Sequence, residues 1–134
     1  MKVRLSRILS DMLLEEARRS YPIEACGVLF GSIHGDEMRI EAVVPLRNIL
    51  ESEYTFEIDP EEFLKVLVEY EGRGLRHIGF FHSHPGCVKP STIDLRYMKL
   101  WPETIWMIVS YRESRIRAYR IIDESLDEAT VIIE

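Results

Sequence analysis

The sequence predicts an α/β domain, a mixed β-sheet with helices packed on it. Three observations carry that expectation. Segments with helical spacing of apolar residues alternate with short runs rich in β-branched residues, which is the signature of interleaved helices and strands. The length, 134 residues, suits one ordinary domain, so residues 1–134 are read as a single unit. Apolar residues make up 46% and charged residues 30%, a globular composition able to build a core.

The elements follow in order. A short strand at Val3–Leu5 precedes Ser6, which can cap a helix reaching about Ser20. Ile8, Leu9, Met12, Leu13 and Ala17 share one face of that helix. Tyr21-Pro22 ends it, because proline disfavours helix in the residue before it. Ala25–Ser32 and Met38–Pro45 read as strands joined by a turn at His34-Gly35-Asp36-Glu37. Residues 46–53 are irregular, and Tyr54–Ile58 alternates like a short strand. Asp59-Pro60-Glu61-Glu62 is a helix start, with Asp59 as cap, Pro60 at the first position and Glu62 completing a capping box. Phe63, Leu64, Leu67, Val68 and Tyr70 supply its buried stripe, and Gly72 and Gly74 end it. Leu75–Phe81 is a strand, Ser91 opens a short helix to about Leu100, and strands at Thr104–Tyr111, Arg115–Ile122 and Thr130–Ile133 follow.

Composition excludes several classes. Asp and Glu number 23 against 17 Lys and Arg, a formal charge of -6. Such a chain lacks the counterion-release drive toward phosphate backbones, so no nucleic acid is expected as partner. The longest apolar runs, such as Ile105–Val109, fall far short of the roughly 20 residues a membrane span needs. The charged, non-secretory N-terminus makes a cytoplasmic location the expectation, with no membrane partner. Two cysteines, Cys26 and Cys87, do not make a disulfide scaffold; two free thiols are expected, with a single Cys26–Cys87 bridge as the alternative.

The chemistry concentrates in His82-Ser83-His84-Pro85-Gly86-Cys87-Val88-Lys89-Pro90-Ser91-Thr92-Ile93-Asp94. His82 and His84 stand at a strand end, and spacing of two puts both imidazoles on one face. Ile78 and Phe80 share that parity and would floor the site. The turn at Pro85-Gly86 lets the next helix fold back, bringing Asp94 over the histidines. Two imidazoles and one carboxylate with an open fourth position are the ligand set of a catalytic zinc site. Such an ion lowers the pKa of a water to about 7 and polarises a carbonyl. Glu24, at the head of a small-residue strand, is the candidate base. Gly27 and Gly31 let another backbone approach that strand. Each piece has a plainer reading when taken alone. His-x-His occurs on surfaces, Ser-x-x-Asp caps helices, and Glu24 could be an ordinary acid. Cys87 as a fourth ligand would close the site to water. His34 and His77 lack partners in sequence and are read as structural; Trp101 and Trp106 are read as core or interface.

Together, Glu24 in "EACGVLFG", then "HSHP" and "PSTID", resemble the JAMM (MPN+) metalloprotease family. The resemblance runs from the first helix to about Ile122 and includes the "WMIVS" strand. It implies a cytidine-deaminase-like fold, a mixed sheet sandwiched by helices, and one zinc ion held by His82, His84 and Asp94. It implies Glu24 as general base and then acid, and Ser91 as hydrogen-bond donor to the developing oxyanion. The substrates implied are ubiquitin-like proteins, cut after the terminal glycine. Six residues separate His84 from Ser91, which resembles the prokaryotic branch, whose members act on sulfur-carrier or ubiquitin-like proteins. The ten residues between Asp94 and Ile105 leave no room for the insertion that reads a proximal ubiquitin. Residues 47–58 correspond to the segment where the family presents an edge to the substrate tail, so Tyr54 and Phe56, alternating toward one side, are candidate substrate-binding residues. A lysine isopeptide conjugate and a carrier bearing a cysteine or short extension both remain open as substrates. The rivals are a non-catalytic scaffold, which typically lacks one of the five positions, and a zinc deaminase, whose His-x-Glu and Pro-Cys-x-x-Cys signatures are missing. A homodimer is a candidate assembly.

Overall fold

The computed structural model describes residues 1–134. Its elements are β1 (Lys2–Leu5), α1 (Arg7–Ser20), β2 (Cys26–His34), β3 (Glu37–Leu46), α2 (Pro60–Gly72), β4 (Arg76–His84), α3 (Thr92–Met98), β5 (Ile105–Ser110), β6 (Arg115–Ile122) and β7 (Ser125–Ile133). The sheet is mixed, as predicted, and it also closes. The strand order is β1-β3-β2-β4-β5-β6-β7, and β1 pairs in parallel with both β3 and β7. Closure leaves the main sheet without a free edge. No helix is long and apolar enough to cross a membrane.

Two apolar cores lie on opposite faces of the sheet. Leu13 and Ala17 of α1 pack with Val3, Leu5, Leu29, Phe81, Met107 and Val109 on one. The other is aromatic: Phe30, Phe80, Trp106 and Tyr119 pack against Phe63, Leu67 and Tyr70 of α2 and Met98 of α3. Glycine allows the strands this closeness. A Cβ at Gly27 would collide with the Phe81 ring and the Val44 carbonyl, and one at Gly31 with the Arg39 carbonyl.

Both long helices sit rotated from the predicted stripes. Ile8 is 74% exposed and Met12 is exposed, because α1 turns Ser10, Leu13 and Ala17 to the sheet. Leu64 and Val68 are 58% and 65% exposed, because α2 packs through Phe63, Val66, Leu67 and Tyr70, an i, i+3, i+4, i+7 face. Asp59 caps α2 by accepting from the Glu61 N–H at 2.8 Å, and the box with Glu62 does not form. Tyr54–Ile58 is not a strand. Within it, the Thr55 carbonyl and the Glu57 N–H bond instead to the Asn48 side chain. Strand β4 is irregular at Ile78: Leu29 pairs with Gly79 and Phe30 with His77. This shift turns Ile78 into the α1-side core and leaves Phe80 on the aromatic side. His77 has partners after all, edge-on to Phe30, Phe63, Phe80 and Trp101.

Candidate functional site

The site lies where β4 ends beside the entry to β2. His82 and His84 project from the same face of β4, both buried. Ser83, between them, points the other way. Its Oγ accepts the Ala25 N–H at 2.7 Å, and its N–H donates to the Ala25 carbonyl at 2.9 Å. That clasp sets Glu24 beside the histidines; nothing in the bare sequence marked Ser83 for it. Asp94 enters from α3. The predicted capping box is present: Ser91 Oγ accepts the Asp94 N–H at 3.0 Å, and the Ser91 N–H donates to Asp94 Oδ2 at 2.9 Å. The cap and the candidate ligand are thus one structure, and Asp94 is rigid for the reason a helix start is rigid. Tyr119 of β6 steadies the intervening loop by donating its hydroxyl to the Val88 carbonyl at 2.8 Å.

His82 Nε2, His84 Nε2 and Asp94 Oδ2 form a nearly equilateral triangle. Its edges are 3.2 Å between the imidazoles, 3.1 Å from His82 to Asp94 and 3.0 Å from His84 to Asp94. Three ligands of a tetrahedral zinc at about 2.0–2.1 Å stand roughly 3.3–3.4 Å apart, so the triangle is within a few tenths of an ångström of a bound set. Inward-facing lone pairs on three such atoms repel one another unless protons or a cation lie between them, and two imidazoles with a carboxylate suit zinc. The residues therefore fit the ion. Glu24 also comes within ligand range: its Oε2 is 3.8 Å from His84 Nε2, and Glu24, His82 and His84 can bring ligand atoms within 4.8 Å of one another. Asp94 is the closer acid to both imidazoles, which favours it as the third ligand and leaves Glu24 beside the set.

The electrostatics separate the two acids. Burial opposes ionisation of Asp94, but hydrogen bonds from His82 and His84 outweigh it and hold the carboxyl well below the usual range. Burial dominates at Glu24 and pushes its carboxyl up to about 8, only partly countered by His84. Glu24 Oε1 is buried with no hydrogen-bond partner. A buried acid titrating near neutrality, with one oxygen free, has the properties of a proton carrier. Burial lowers His82, while at His84 the Asp94 hydrogen bond overrides burial and raises the ring to about 9.

Phe56 stacks on His82 with ring centroids 4.8 Å apart and, with Phe80 and Trp106, walls the imidazole. The floor is therefore Phe80 and Trp106, not Ile78. An open cleft of about 420 Å³ leads to the site and is lined by Glu24, Tyr54, His84, Cys87, Lys89 and Ser91, among others. Beyond Phe56 lies a smaller aromatic pocket of about 240 Å³ that includes Phe63, Tyr97, Trp101 and Trp106. Tyr54 and Phe56 thus border different hollows rather than one side. Cys26 and Cys87 are both free. Cys87 Sγ lies 3.7 Å from His84 Nδ1, the nitrogen turned away from the triangle, so it is not placed as a ligand.

The profile described as prokaryotic homologues of the JAB domain matches residues 6–122, and the chain belongs to that family. It is similar to the desampylase of Pyrococcus furiosus, with 40% identity over 117 residues, covering 86% of this chain and 79% of that protein. It is also similar to the desampylase of Haloferax volcanii, 33% identical over 130 residues and covering 92% and 91% of the two chains. The CysO-cysteine peptidase of Mycobacterium tuberculosis is 32% identical over 127 residues, covering 92% and 85%. A solution structure of a protein from Desulfitobacterium hafniense superposes with TM-score 0.89 at 31% identity, covering 98% of this chain and 92% of that one.

Proposed function

We propose that this protein is a zinc-dependent JAMM-type peptidase of one domain, residues 1–134. It hydrolyses the amide after the C-terminal glycine of a ubiquitin-like or sulfur-carrier protein. The observation that carries the reading is the His82, His84 and Asp94 triangle with Glu24 Oε2 3.8 Å from one corner. Similarity to two desampylases and a CysO-cysteine peptidase supports the substrate class. The chain keeps all five chemical positions, which argues against a non-catalytic scaffold.

His82, His84 and Asp94 would hold the ion. Zinc, when bound, lowers the pKa of a water to about 7 and polarises a carbonyl. Glu24 takes the proton from the attacking water and delivers it to the leaving nitrogen as the C–N bond breaks. The products are a glycine carboxylate and a free amine. Ser91 is free to help, because its oxygen accepts the helix N–H and its own hydrogen is left to donate. It serves the carbonyl oxygen as that atom gains charge. Tyr54 meets the tail in the cleft, and Phe56 meets it where the aromatic pocket adjoins His82.

Glu24→Gln tests this assignment. It keeps the shape and the three ligands but cannot carry a proton. Bound zinc should stay at one ion per chain while kcat falls by about 10²–10⁴-fold. Zinc retained with undiminished turnover would falsify the role of Glu24. Product mass after incubation with a lysine isopeptide conjugate, and separately with a carrier bearing a C-terminal cysteine, distinguishes the two substrates.

A further inference from the structure

We propose that Asn48 is a positioning residue for Glu24, a role that rests on the peptidase reading above. Glu24 lies two residues before β2 begins, so no ladder holds it. Its backbone is held instead by the loop after β3. The Glu24 N–H donates to the Ser52 carbonyl at 2.9 Å, and the Glu24 carbonyl accepts from Asn48 Nδ2 at 3.1 Å.

Asn48 is buried, and its amide is engaged at both ends. Nδ2 also donates to the Thr55 carbonyl at 3.0 Å, with the Ser52 carbonyl at 3.5 Å. Oδ1 accepts the Leu50 and Glu57 N–H groups at 3.1 and 3.2 Å. Thr55 and Glu57 flank Phe56, the ring that stacks on His82. One side chain therefore ties the peptide of the base to the segment that walls the metal ligand. No other side chain holds the Glu24 carbonyl. Ser83 holds the other end of the same planar peptide, its Oγ accepting the Ala25 N–H at 2.7 Å, so the Glu24–Ala25 peptide is pinned at its N–H by Ser83 and at its carbonyl by Asn48. Asn48 makes no hydrogen bond to His82, His84 or Asp94, whose bonds run among themselves and to Ser91 and Cys87, so the triangle keeps its own partners when Asn48 is replaced. Without the Asn48 bond the peptide keeps only its N–H anchor on Ser83 and can tilt about it, and a displacement of about 1 Å in a reacting group costs roughly 10²-fold in rate.

The test is Asn48→Ala in the zinc-loaded enzyme, with kcat and KM measured on a ubiquitin-like protein carrying a C-terminal extension, beside zinc content and thermal melting. Bound zinc should remain at one ion per chain, kcat should fall by roughly 10- to 100-fold, and KM should move by less than about threefold. A purely structural asparagine would lower the melting temperature while sparing kcat of the folded fraction. Should Asn48→Ala not fold, Asn48→Ser is read by the same criteria, its smaller side chain leaving room for water on the freed carbonyls. A folded variant with kcat within about twofold of wild type overturns the proposal, as does a fall in kcat matched by loss of zinc. An inactive wild-type enzyme would instead defeat the peptidase reading, so the two failures are distinct.

Discussion

Asp94 and Glu24 are two carboxylates at one site, 3% and 2% exposed, and they differ in almost everything else. Asp94 faces two imidazoles and accepts the Ser91 N–H. It is held ionised, far below its usual range. Glu24 has one oxygen 3.8 Å from His84 and the other without a partner, and burial pushes it up to about 8. The contrast teaches that burial alone does not set a carboxylate's role. A satisfied carboxylate becomes a fixed anion fit to hold a cation, and an unsatisfied one becomes a group that exchanges a proton near neutral pH.

Substituting the satisfied acid has the largest expected consequence. Asp94→Ala should lose both bound zinc and turnover, a defect at least as large as the roughly 10²–10⁴-fold of Glu24→Gln, which should keep its metal. Chelation of the wild-type enzyme should reproduce the Asp94 defect, and added zinc should reverse it. If Asp94→Ala bound zinc normally while Glu24→Ala did not, the two roles would have to be exchanged.

Ser91 sharpens the contrast, since it belongs to the Asp94 side structurally and is proposed to act in the reaction as a donor. Ser91→Ala should lower kcat by about 10²-fold while zinc stays bound. Ser91→Gly, which caps almost as well and has no side-chain donor, should melt close to wild type, so that retained stability with lost turnover isolates the donor from the cap.

The third expectation concerns stability in the metal-free protein. The folded pKa of Glu24, about 8, lies above its ordinary value of 4.5. The folded state thus keeps a proton that the unfolded state releases. Its contribution to stability is fully present below the unfolded value and is lost as pH rises through 8. Glu24→Gln removes that loss. The metal-free variant should be more stable than wild type by roughly 4 kcal/mol at pH 8, with the gain vanishing near pH 4.5. Thermal melts across that range decide it, and a gain that does not change with pH would show that the carboxyl titrates normally.

The smallest effect is expected at Tyr54 on the cleft and Phe56 on the adjoining aromatic pocket. Tyr54→Ala and Phe56→Ala should raise KM for a ubiquitin-like substrate by about 10-fold together, with Phe56 the larger because it also supports His82. Unchanged kcat/KM in a folded double variant would remove both from the substrate path.

Much of the fold was legible from local rules. Ser6, Asp59 and Ser91 are the caps that their types and positions predict, because a cap needs only its own helix turn. The helical faces were not legible to the same degree. Ile8, Met12, Leu64 and Val68 are apolar and exposed, since which apolar residues are buried depends on how the helix is rotated against the sheet. Ile78 left the site floor because strand parity holds only while the ladder is regular, and β4 slips a residue there. Tyr54–Ile58 has a strand's alternation, but its backbone bonds to an asparagine side chain instead of a neighbouring strand.

The amino-acid sequence by itself determined the chemical inventory: two imidazoles two residues apart, an aspartate in the first turn of a capped helix, and a glutamate before a glycine-bearing strand. Those relations are short in sequence, and covalent geometry enforces them. Only the tertiary structure decided that Glu24, 58 residues from His82 in sequence, stands beside the triangle. It is brought there by β2 pairing with β4, by Ser83 clasping Ala25 and by Asn48 holding the Glu24 carbonyl. It also decided the difference between the two acids, because desolvation and hydrogen bonding belong to the packed surroundings of a side chain and not to its type.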